Sequence, residues 1–223
     1  MSAAGAPAPR EGWLAAEVER ELPGLHLHEC ELTVGRAGSL RGDSPADVEG
    51  RLRELSSRVR GSRAIGVRSE PVPGAYRVFF RQIGLDPDVE RTPVEAAILE
   101  RMLRGGFLTG GLLDDILLIS LMDTGVPVWA LDSETLDGPL GIRTSLEGET
   151  LGRSSEEPPL PAGRLVVADA STPLAPLFGA CAAEHLPGRQ TRRLTLFALR
   201  VPGVPQLYVE EALWSSASAL EAP

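Results

Sequence analysis

Lysine is absent from this chain, because all 22 of its basic residues are arginine. We attribute the absence to a GC-rich coding bias, and its chemical consequence does not depend on that cause. Enzymes that form a Schiff base with a carbonyl substrate need a lysine amine. The sequence therefore excludes this kind of covalent catalysis.

Cysteine and histidine are scarce. The two cysteines, Cys30 and Cys181, show no CxxC or zinc-ligand spacing, which favours a reducing compartment. His26 and His28 lie two residues apart in a predicted strand and could share a metal, but no third donor stands near them. We therefore interpret them as a solvated strand face and predict neither a metal site nor a cofactor.

Long apolar runs and a targeting segment are also missing. No apolar run reaches the roughly 18 residues that span a bilayer, and the N-terminal MSAAGAPAPR lacks the order of a signal peptide. We therefore expect residues 1–10 to be a disordered tail. The same features predict a cytoplasmic protein without membrane contact.

Several catalytic motifs do not occur. The chain contains no GxSxG elbow, no P-loop and no GxGxxG sequence, which argues against a serine esterase and against the common nucleotide sites. Its 223 residues leave no room for a second large catalytic domain. We therefore expect this chain to be smaller than a complete multidomain enzyme.

Charge is unevenly distributed along the chain. The net charge of −9 disfavours non-specific nucleic-acid binding, but residues 36–104 hold 13 arginines against 10 acidic residues, a net +3. The arginines concentrate on a predicted helix at 45–60, which is the face that a polyanion would meet. The alternative is an ordinary solvated helix face.

Hydrophobic periodicity predicts a mixture of helices and strands. Helices are expected at 13–22, 45–60 and 204–220, and residues 75–84 fit either a strand or the start of a helix. Pro and Gly at 61–74 indicate an internal boundary, and residues 152–163 a mobile loop. Predicted strands, which lie mostly in the second half, are at 25–34, 126–132, 140–145, 164–170, 174–182 and 192–201.

The segment 91–151 organises the rest of the chain. Thr92, Pro93 and Glu95 form a capping box with proline at the first helical position, which begins a helix at 92–104. A second helix at 112–124 is apolar nearly all round except for its aspartates. These features predict an α+β fold in which one central mixed sheet is flanked by helices and closed by the C-terminal helix.

The order of residues in this segment resembles the B3/B4 domain of the bacterial phenylalanyl-tRNA synthetase beta chain, and most closely its free-standing relatives. The resemblance runs from about residue 76 to 195 and rests on VPVWALDSETLDGPLGIRTSLEGETL with its flanking sequences. Its anchors are Asp115, Gly125, Pro127, Ala130, Asp132, Gly138, Arg143, Glu147, Gly148, Glu149, Ala168, Asp169, Glu184, His185 and Thr191. It implies a single B3/B4-like domain at 11–223, with an N-terminal lobe at 11–74 and a core at 75–223.

In the synthetase, the resembling domain hydrolyses tyrosine wrongly attached to tRNA. The resemblance places apolar residues at the polar positions of that pocket: Leu112 at its arginine, Leu117 and Leu118 at its Thr-Asn pair, Trp129 at its histidine and Phe197 at its glutamate. Five such replacements predict that the usual hydrolytic mechanism is lost.

Two polar clusters remain. Asp115 lies in the predicted buried helix, where a carboxylate needs a partner, and we predict an ion pair with Arg91 or Arg143. The second cluster joins Glu184, His185 and Thr191, although a solvated loop histidine is the more common arrangement.

Two functional hypotheses follow. The first is a tRNA- or RNA-binding module that has kept the fold and lost the chemistry. It recognises RNA or an aminoacyl-like ligand through Arg91 and Asp115, with the RNA backbone resting on Arg51, Arg53, Arg58 and Arg60. The alternative is a hydrolase that deacylates a mischarged aminoacyl-tRNA. In it His185 is the general base, Thr191 supplies an oxyanion donor, and Trp129 and Phe197 line the side-chain pocket.

Overall fold

A computed structural model describes residues 8–35, 40–59, 66–153 and 158–221. Six helices occur in these ranges: α1 Ala16–Glu21, α2 Ala46–Arg58, α3 Pro71–Gln82, α4 Pro93–Arg104, α5 Leu112–Thr124 and α6 Gln206–Glu221. Eight strands accompany them: β1 Arg10–Glu11, β2 Trp13–Leu14, β3 His26–Thr33, β4 Val128–Asp132, β5 Gly141–Thr144, β6 Leu165–Ala168, β7 Pro173–Pro176 and β8 Arg193–Arg200. The α+β class is confirmed.

The strands divide between two four-stranded sheets, whereas the sequence predicted one central sheet. The first sheet has the order β1-β3-β8-β4 and is antiparallel throughout. The second has the order β2-β5-β6-β7, with β2 parallel to β5 and the other pairs antiparallel. Strand β3, from the predicted N-terminal lobe, pairs with β8 along its whole length.

A short N-terminal segment, residues 10–14, belongs to both sheets. β1 pairs with β3 in the first sheet, and two residues later β2 pairs with β5 in the second, with Trp13 opposite Gly141. The helix predicted at 13–22 therefore begins only at Ala16, because the backbone of Trp13 and Leu14 is used in strand pairing. Local periodicity cannot show this, since the partner strand lies far along the chain.

Residues 75–84, which fitted a strand or a helix, lie mostly in α3, and Pro71 occupies its first turn. Residues 71–74 of the predicted boundary are thus helical, while residues 61–65 lie outside the described ranges. Arg77 of α3 is buried and pairs with Asp88 at 2.6 Å and Glu95 at 2.5 Å. These ion pairs join α3 to the start of α4.

The two central helices are confirmed. Thr92 and Glu95 form the predicted capping box, and α4 and α5 end at Gly105 and Gly125, both in the left-handed region that glycine favours. The strand predicted at 174–182 stops at Pro176. Beyond it Phe178 has φ 63°, a conformation that an apolar pattern does not reveal.

Most of the buried apolar residues form one core, to which β3, β8 and α6 contribute along their length. A smaller apolar cluster lies between α4, α5 and the residues on either side of 60–65, which are outside the described ranges. Within the described residues, no helix is long and apolar enough to cross a membrane.

Substituting Gly141 with alanine should destabilise the protein, because a Cβ there would lie 2.5 Å from the Trp13 carbonyl oxygen and overlap its ring. We expect a loss of about 1–3 kcal/mol in the free energy of unfolding, the usual scale for overpacking. Urea denaturation measures this loss. Gly66→Ala, where nothing lies within 4 Å, is the matched control and should change stability little. Equal stability of the two variants would show that the β2–β5 junction does not constrain the fold.

Candidate functional site

The polar residues predicted near His185 gather where β4 ends and β8 begins. We call Asp132, Thr135, Glu184, His185 and Thr191 the polar cluster. Asp132 is the last residue of β4, and its side chain accepts a hydrogen bond from the Glu134 backbone, which shapes the 3₁₀ turn that carries Thr135. His185 ends another 3₁₀ turn, and Thr191 stands two residues before β8.

The Thr191 hydroxyl makes its hydrogen bonds within the protein. Its hydroxyl donates to Asp132 Oδ2 at 2.5 Å and accepts from the Gly188 backbone N–H at 2.9 Å. A hydroxyl has a single hydrogen to donate. In this geometry that hydrogen is not available to a developing oxyanion, and the side chain fixes the turn before β8.

His185 is 1% exposed, so the expectation of a solvated loop histidine was wrong. Its Nδ1 lies 2.9 Å from Thr135 Oγ1, and that hydroxyl donates to the Asp132 carbonyl oxygen at 2.8 Å. Since the Thr135 hydrogen is already used, Nδ1 must be the donor and carry the proton. In the neutral ring, Nε2 is then left with a lone pair.

The second ring nitrogen of His185 is unusual. Nε2 is buried and makes no hydrogen bond to the part of the chain that the structure describes, although Glu184 Oε1 lies 3.3 Å away. The same Glu184 oxygen accepts a hydrogen bond from the Arg153 backbone. The Glu184 carboxylate therefore lies beside Nε2, and the His185 ring is enclosed by the protein.

Trp129 and Phe197 fill the position predicted to be a side-chain pocket. Their rings are stacked, with centroids 5.4 Å apart and planes 13° apart, because the two residues are direct partners in the β4–β8 ladder. Phe178 packs against Trp129, Tyr76 and Phe80, with centroid distances of 6.1, 5.8 and 4.8 Å. The region is an aromatic core rather than an open cavity.

The three leucines aligned with the pocket's polar groups lie on α5. Leu112 and Leu117 are partly buried and pack against the main core, and Leu118 lines a separate surface pocket with Thr109 and Asp114. All three side chains are hydrocarbon. They can supply packing and apolar contact but no hydrogen bond to a water or an oxyanion.

The predicted ion pair of Asp115 was wrong. This carboxylate is 1% exposed and accepts three hydrogen bonds, from Ser44 Oγ at 2.5 Å, Thr109 Oγ1 at 2.5 Å and the Gly110 N–H at 2.8 Å. Three donors satisfy a buried carboxylate without a counter-charge, and the first turn of α5 adds a favourable dipole. Asp115 therefore ties the segments before α2 and α5 together.

Arg91 and Arg143, the predicted partners of Asp115, do not contact it. Arg143 donates to both oxygens of Glu149, at 2.8 and 2.5 Å, while Glu149 also accepts from the Leu146 N–H. Through these hydrogen bonds Glu149 closes the loop after β5. Arg91 is exposed and makes no ion pair with the described residues.

The arginines of α2 are largely paired with acidic residues. Arg51 donates to Asp123 at 2.8 and 3.0 Å and to Glu54 at 2.6 Å. Arg53 lies 3.4 Å from Glu49, and Arg58 lies 3.8 Å from Glu54. Arg60, the fourth residue predicted to contact RNA, lies outside the described residues.

The predicted histidine face of β3 also differs from expectation. His28 is 5% exposed rather than solvated, and burial lowers its pKa. His26 bonds to Glu11. Among the ranges given above, no group of three His, Cys, Asp or Glu side chains is placed to hold a metal ion.

Sequence reasoning missed three residues that shape the region. Asp132 was recognised only as an anchor of the resemblance, and Thr135 carried no signal in the sequence. Phe178 sits at the centre of the aromatic core through a positive φ that only the folded chain shows. A polar residue at the end of a strand, such as Asp132, was the one signal that could have indicated the cluster.

About half of the chain is similar to phenylalanine–tRNA ligase beta subunits. It is 36% identical over 116 residues to the subunit of Xanthomonas oryzae pv. oryzae, which is 51% of this chain and 14% of that protein. Over 91 residues it is 40% identical to the Xanthomonas axonopodis pv. citri subunit (40% of the chain, 11% of the relative), and over 96 residues 40% identical to that of Xylella fastidiosa (41% and 11%).

The chain thus spans only a small part of the length of these relatives. No protein-family profile matches it. The similarity is therefore between about half of this chain and one region of the phenylalanine–tRNA ligase beta subunit.

Replacing Asp115 with asparagine should destabilise the protein by about 1–3 kcal/mol, the cost of leaving buried hydrogen-bond donors poorly satisfied. The amide cannot accept from Ser44, Thr109 and Gly110 together. Chemical denaturation gives the difference. Asp114→Asn removes the same charge from the same helix turn at an exposed position and serves as control. If both variants lose equal stability, the helix dipole rather than the three hydrogen bonds accounts for the effect.

The Arg143–Glu149 pair should make stability depend on pH. The hydrogen bond from Arg143 is the largest cause that lowers the pKa of Glu149 below its ordinary value of 4.5. Because the folded pKa is depressed, the contribution of Glu149 is complete above pH 4.5 and is lost as the pH falls through the lower folded value. Unfolding free energies from pH 6 to pH 3 should show the difference between wild type and Glu149→Gln narrowing. A constant difference would contradict this linkage.

Proposed function

We propose that this chain is a tRNA-binding module related to the B3/B4 region of the phenylalanyl-tRNA synthetase beta chain, and that it does not carry out the usual editing hydrolysis. Its similarity to a region of phenylalanine–tRNA ligase beta subunits and its α+β fold support the relationship. Residues 11–223 act as one B3/B4-like domain in this proposal. The proposal includes a cytoplasmic location, where tRNA is used in translation.

The filled aromatic core is the observation that carries the proposal. Hydrolytic editing needs a cavity that admits the misplaced side chain and a polar group that holds the attacking water. Trp129 and Phe197 stack on each other at the positions where a histidine and a glutamate would stand. Phe197 is 1% exposed, and its hydrocarbon ring at that position has no polar group to hold a water.

The polar cluster points in the same direction. The Thr191 hydrogen is donated to Asp132, and the Nε2 nitrogen of His185 is enclosed by the protein. Asp115 is equally unsuited to ligand binding, since its three hydrogen bonds and burial separate it from solvent. What remains for recognition is the surface, including exposed Arg91.

A second function, trans-editing of a mischarged aminoacyl-tRNA, is favoured by one specific observation. Thr135 holds His185 with its proton on Nδ1, and this leaves the Nε2 lone pair in the form that a general base requires. Glu184 stands beside that nitrogen. In this alternative, RNA binding makes the buried His185 accessible, and backbone N–H groups stabilise the oxyanion.

A deacylation panel separates the two functions. Wild type incubated with a set of mischarged tRNAs should hydrolyse none above the spontaneous rate, since the general base is enclosed. Fluorescence anisotropy should show that the same protein binds tRNA, and that its affinity falls as salt rises.

The binding module is refuted if one substrate is hydrolysed well above background and His185→Gln lowers that rate about 10²-fold, the scale of general acid–base catalysis. His26→Gln, at the first residue of β3 and opposite Arg200, is the control histidine and should leave the rate unchanged. Absence of both hydrolysis and salt-sensitive binding would remove both functions.

A further inference from the structure

The chain from residue 186 to residue 209 contains four arginines and no acidic residue. These are Arg189, Arg192, Arg193 and Arg200. The stretch comprises the turn after His185, the strand β8 and the approach to α6. In a protein with a net charge of −9, such a segment is a local excess of positive charge.

Two of these arginines have no internal partner within the described ranges. Arg193 pairs with Glu31 at 3.0 Å, and Arg200 donates to Gln206 at 3.2 Å. Arg189 and Arg192 are exposed and make neither a salt bridge nor a side-chain hydrogen bond to the described residues. We infer that these are the guanidinium groups that an external anion would meet.

A third arginine is held beside them from a distant part of the chain. Arg41 is exposed, and its Nε donates to the Pro187 carbonyl oxygen at 3.1 Å. The segment that bears Arg41 is itself fixed, because Leu40 and Gly42 accept backbone hydrogen bonds from Leu113 and Leu112 of α5. We call Arg41, Arg189 and Arg192 the loop arginine surface.

The backbone beneath this surface is tied down at several points. Gly188 donates to Thr191 Oγ1, which in turn donates to Asp132, and the Val34 N–H donates to the Arg192 carbonyl oxygen at 2.8 Å. A surface that is already ordered loses less conformational entropy when a ligand binds. This gives Thr191 a structural reason for its position that does not involve catalysis.

We propose that the loop arginine surface, rather than helix α2, receives the phosphate backbone of RNA. The inference rests on the proposed tRNA-binding function and identifies the protein surface that contacts the RNA. Guanidinium groups match phosphate oxygens in a planar, bidentate geometry. On α2, by contrast, Arg51, Arg53 and Arg58 already face Glu49, Glu54 and Asp123.

Two matched double variants test the proposal. Arg189→Gln/Arg192→Gln removes two charges from the loop, and Arg53→Gln/Arg58→Gln removes two from α2. Binding of an uncharged tRNA is followed by fluorescence anisotropy between 50 and 200 mM salt. The loop variant should bind several-fold more weakly, and its slope of log affinity against log salt should be about 2 units shallower, one per lost phosphate contact.

The α2 variant should retain the wild-type slope. All four arginines are on the surface, and thermal melts of both variants confirm that each is folded. If the α2 variant loses the slope and the loop variant keeps it, the inference is overturned while the proposed function stands. If wild type shows no salt-dependent tRNA binding, the proposed function fails first.

A competition experiment tests the chemical nature of the anion. A single-stranded RNA oligonucleotide and poly-glutamate of equal charge are compared as competitors of tRNA. RNA should compete far better, and its advantage should shrink in the loop variant. Stronger competition by poly-glutamate would assign the surface to an acidic protein and overturn RNA as its ligand.

Discussion

The pairing of β8 with β3 on one side and β4 on the other is the constraint on which the rest of the structure depends. The β3–β8 register runs without interruption from His26 opposite Arg200 to Thr33 opposite Arg193. Because a strand's side-chain period is two, this register decides which residues of β8 face each layer. The β4–β8 register places Phe197 directly opposite Trp129, which creates the stacked pair.

The same register determines what happens at the end of the strand. Since Thr33 and Arg193 are partners, the chain entering β8 must pass beside the end of β3 and of β4. Thr191 then meets Asp132, and the Arg192 carbonyl meets Val34. These hydrogen bonds fix the backbone of a loop that sequence alone would class as an irregular turn.

Sequence reasoning succeeded where structure depends on neighbours along the chain. The Thr92 capping box, the glycine ends of α4 and α5, and the strands β4 and β8 were predicted from residues within a few positions of each other. It failed where a distant partner decides the outcome. Trp13 and Leu14 form a strand because Gly141 and Ile142 are there to pair with them, and Asp115 needs no arginine because Ser44 comes close.

The candidate site likewise has features that the sequence predicts and features that depend on residues far apart in the chain. The apolar replacements at Trp129 and Phe197 were predicted from their order in the chain, but only the fold reveals that they fill the space rather than line it. His185 was chosen for its chemistry, and its enclosure depends on Thr135, fifty residues earlier, which gave no signal. Function follows from such details of the site rather than from the overall fold.

An acidic protein can still bind a polyanion if its positive charges are unpaired and face solvent together. Charged groups farther apart than the roughly 8 Å Debye length at physiological salt act on each other weakly, so the overall charge of −9 matters less to a phosphate than the nearest side chains do. Ion pairing has the opposite effect on α2, where each arginine's field is cancelled by a carboxylate within 4 Å. The number of arginines in a segment is therefore a poor guide to where RNA rests, and the number left without a carboxylate partner is the better one.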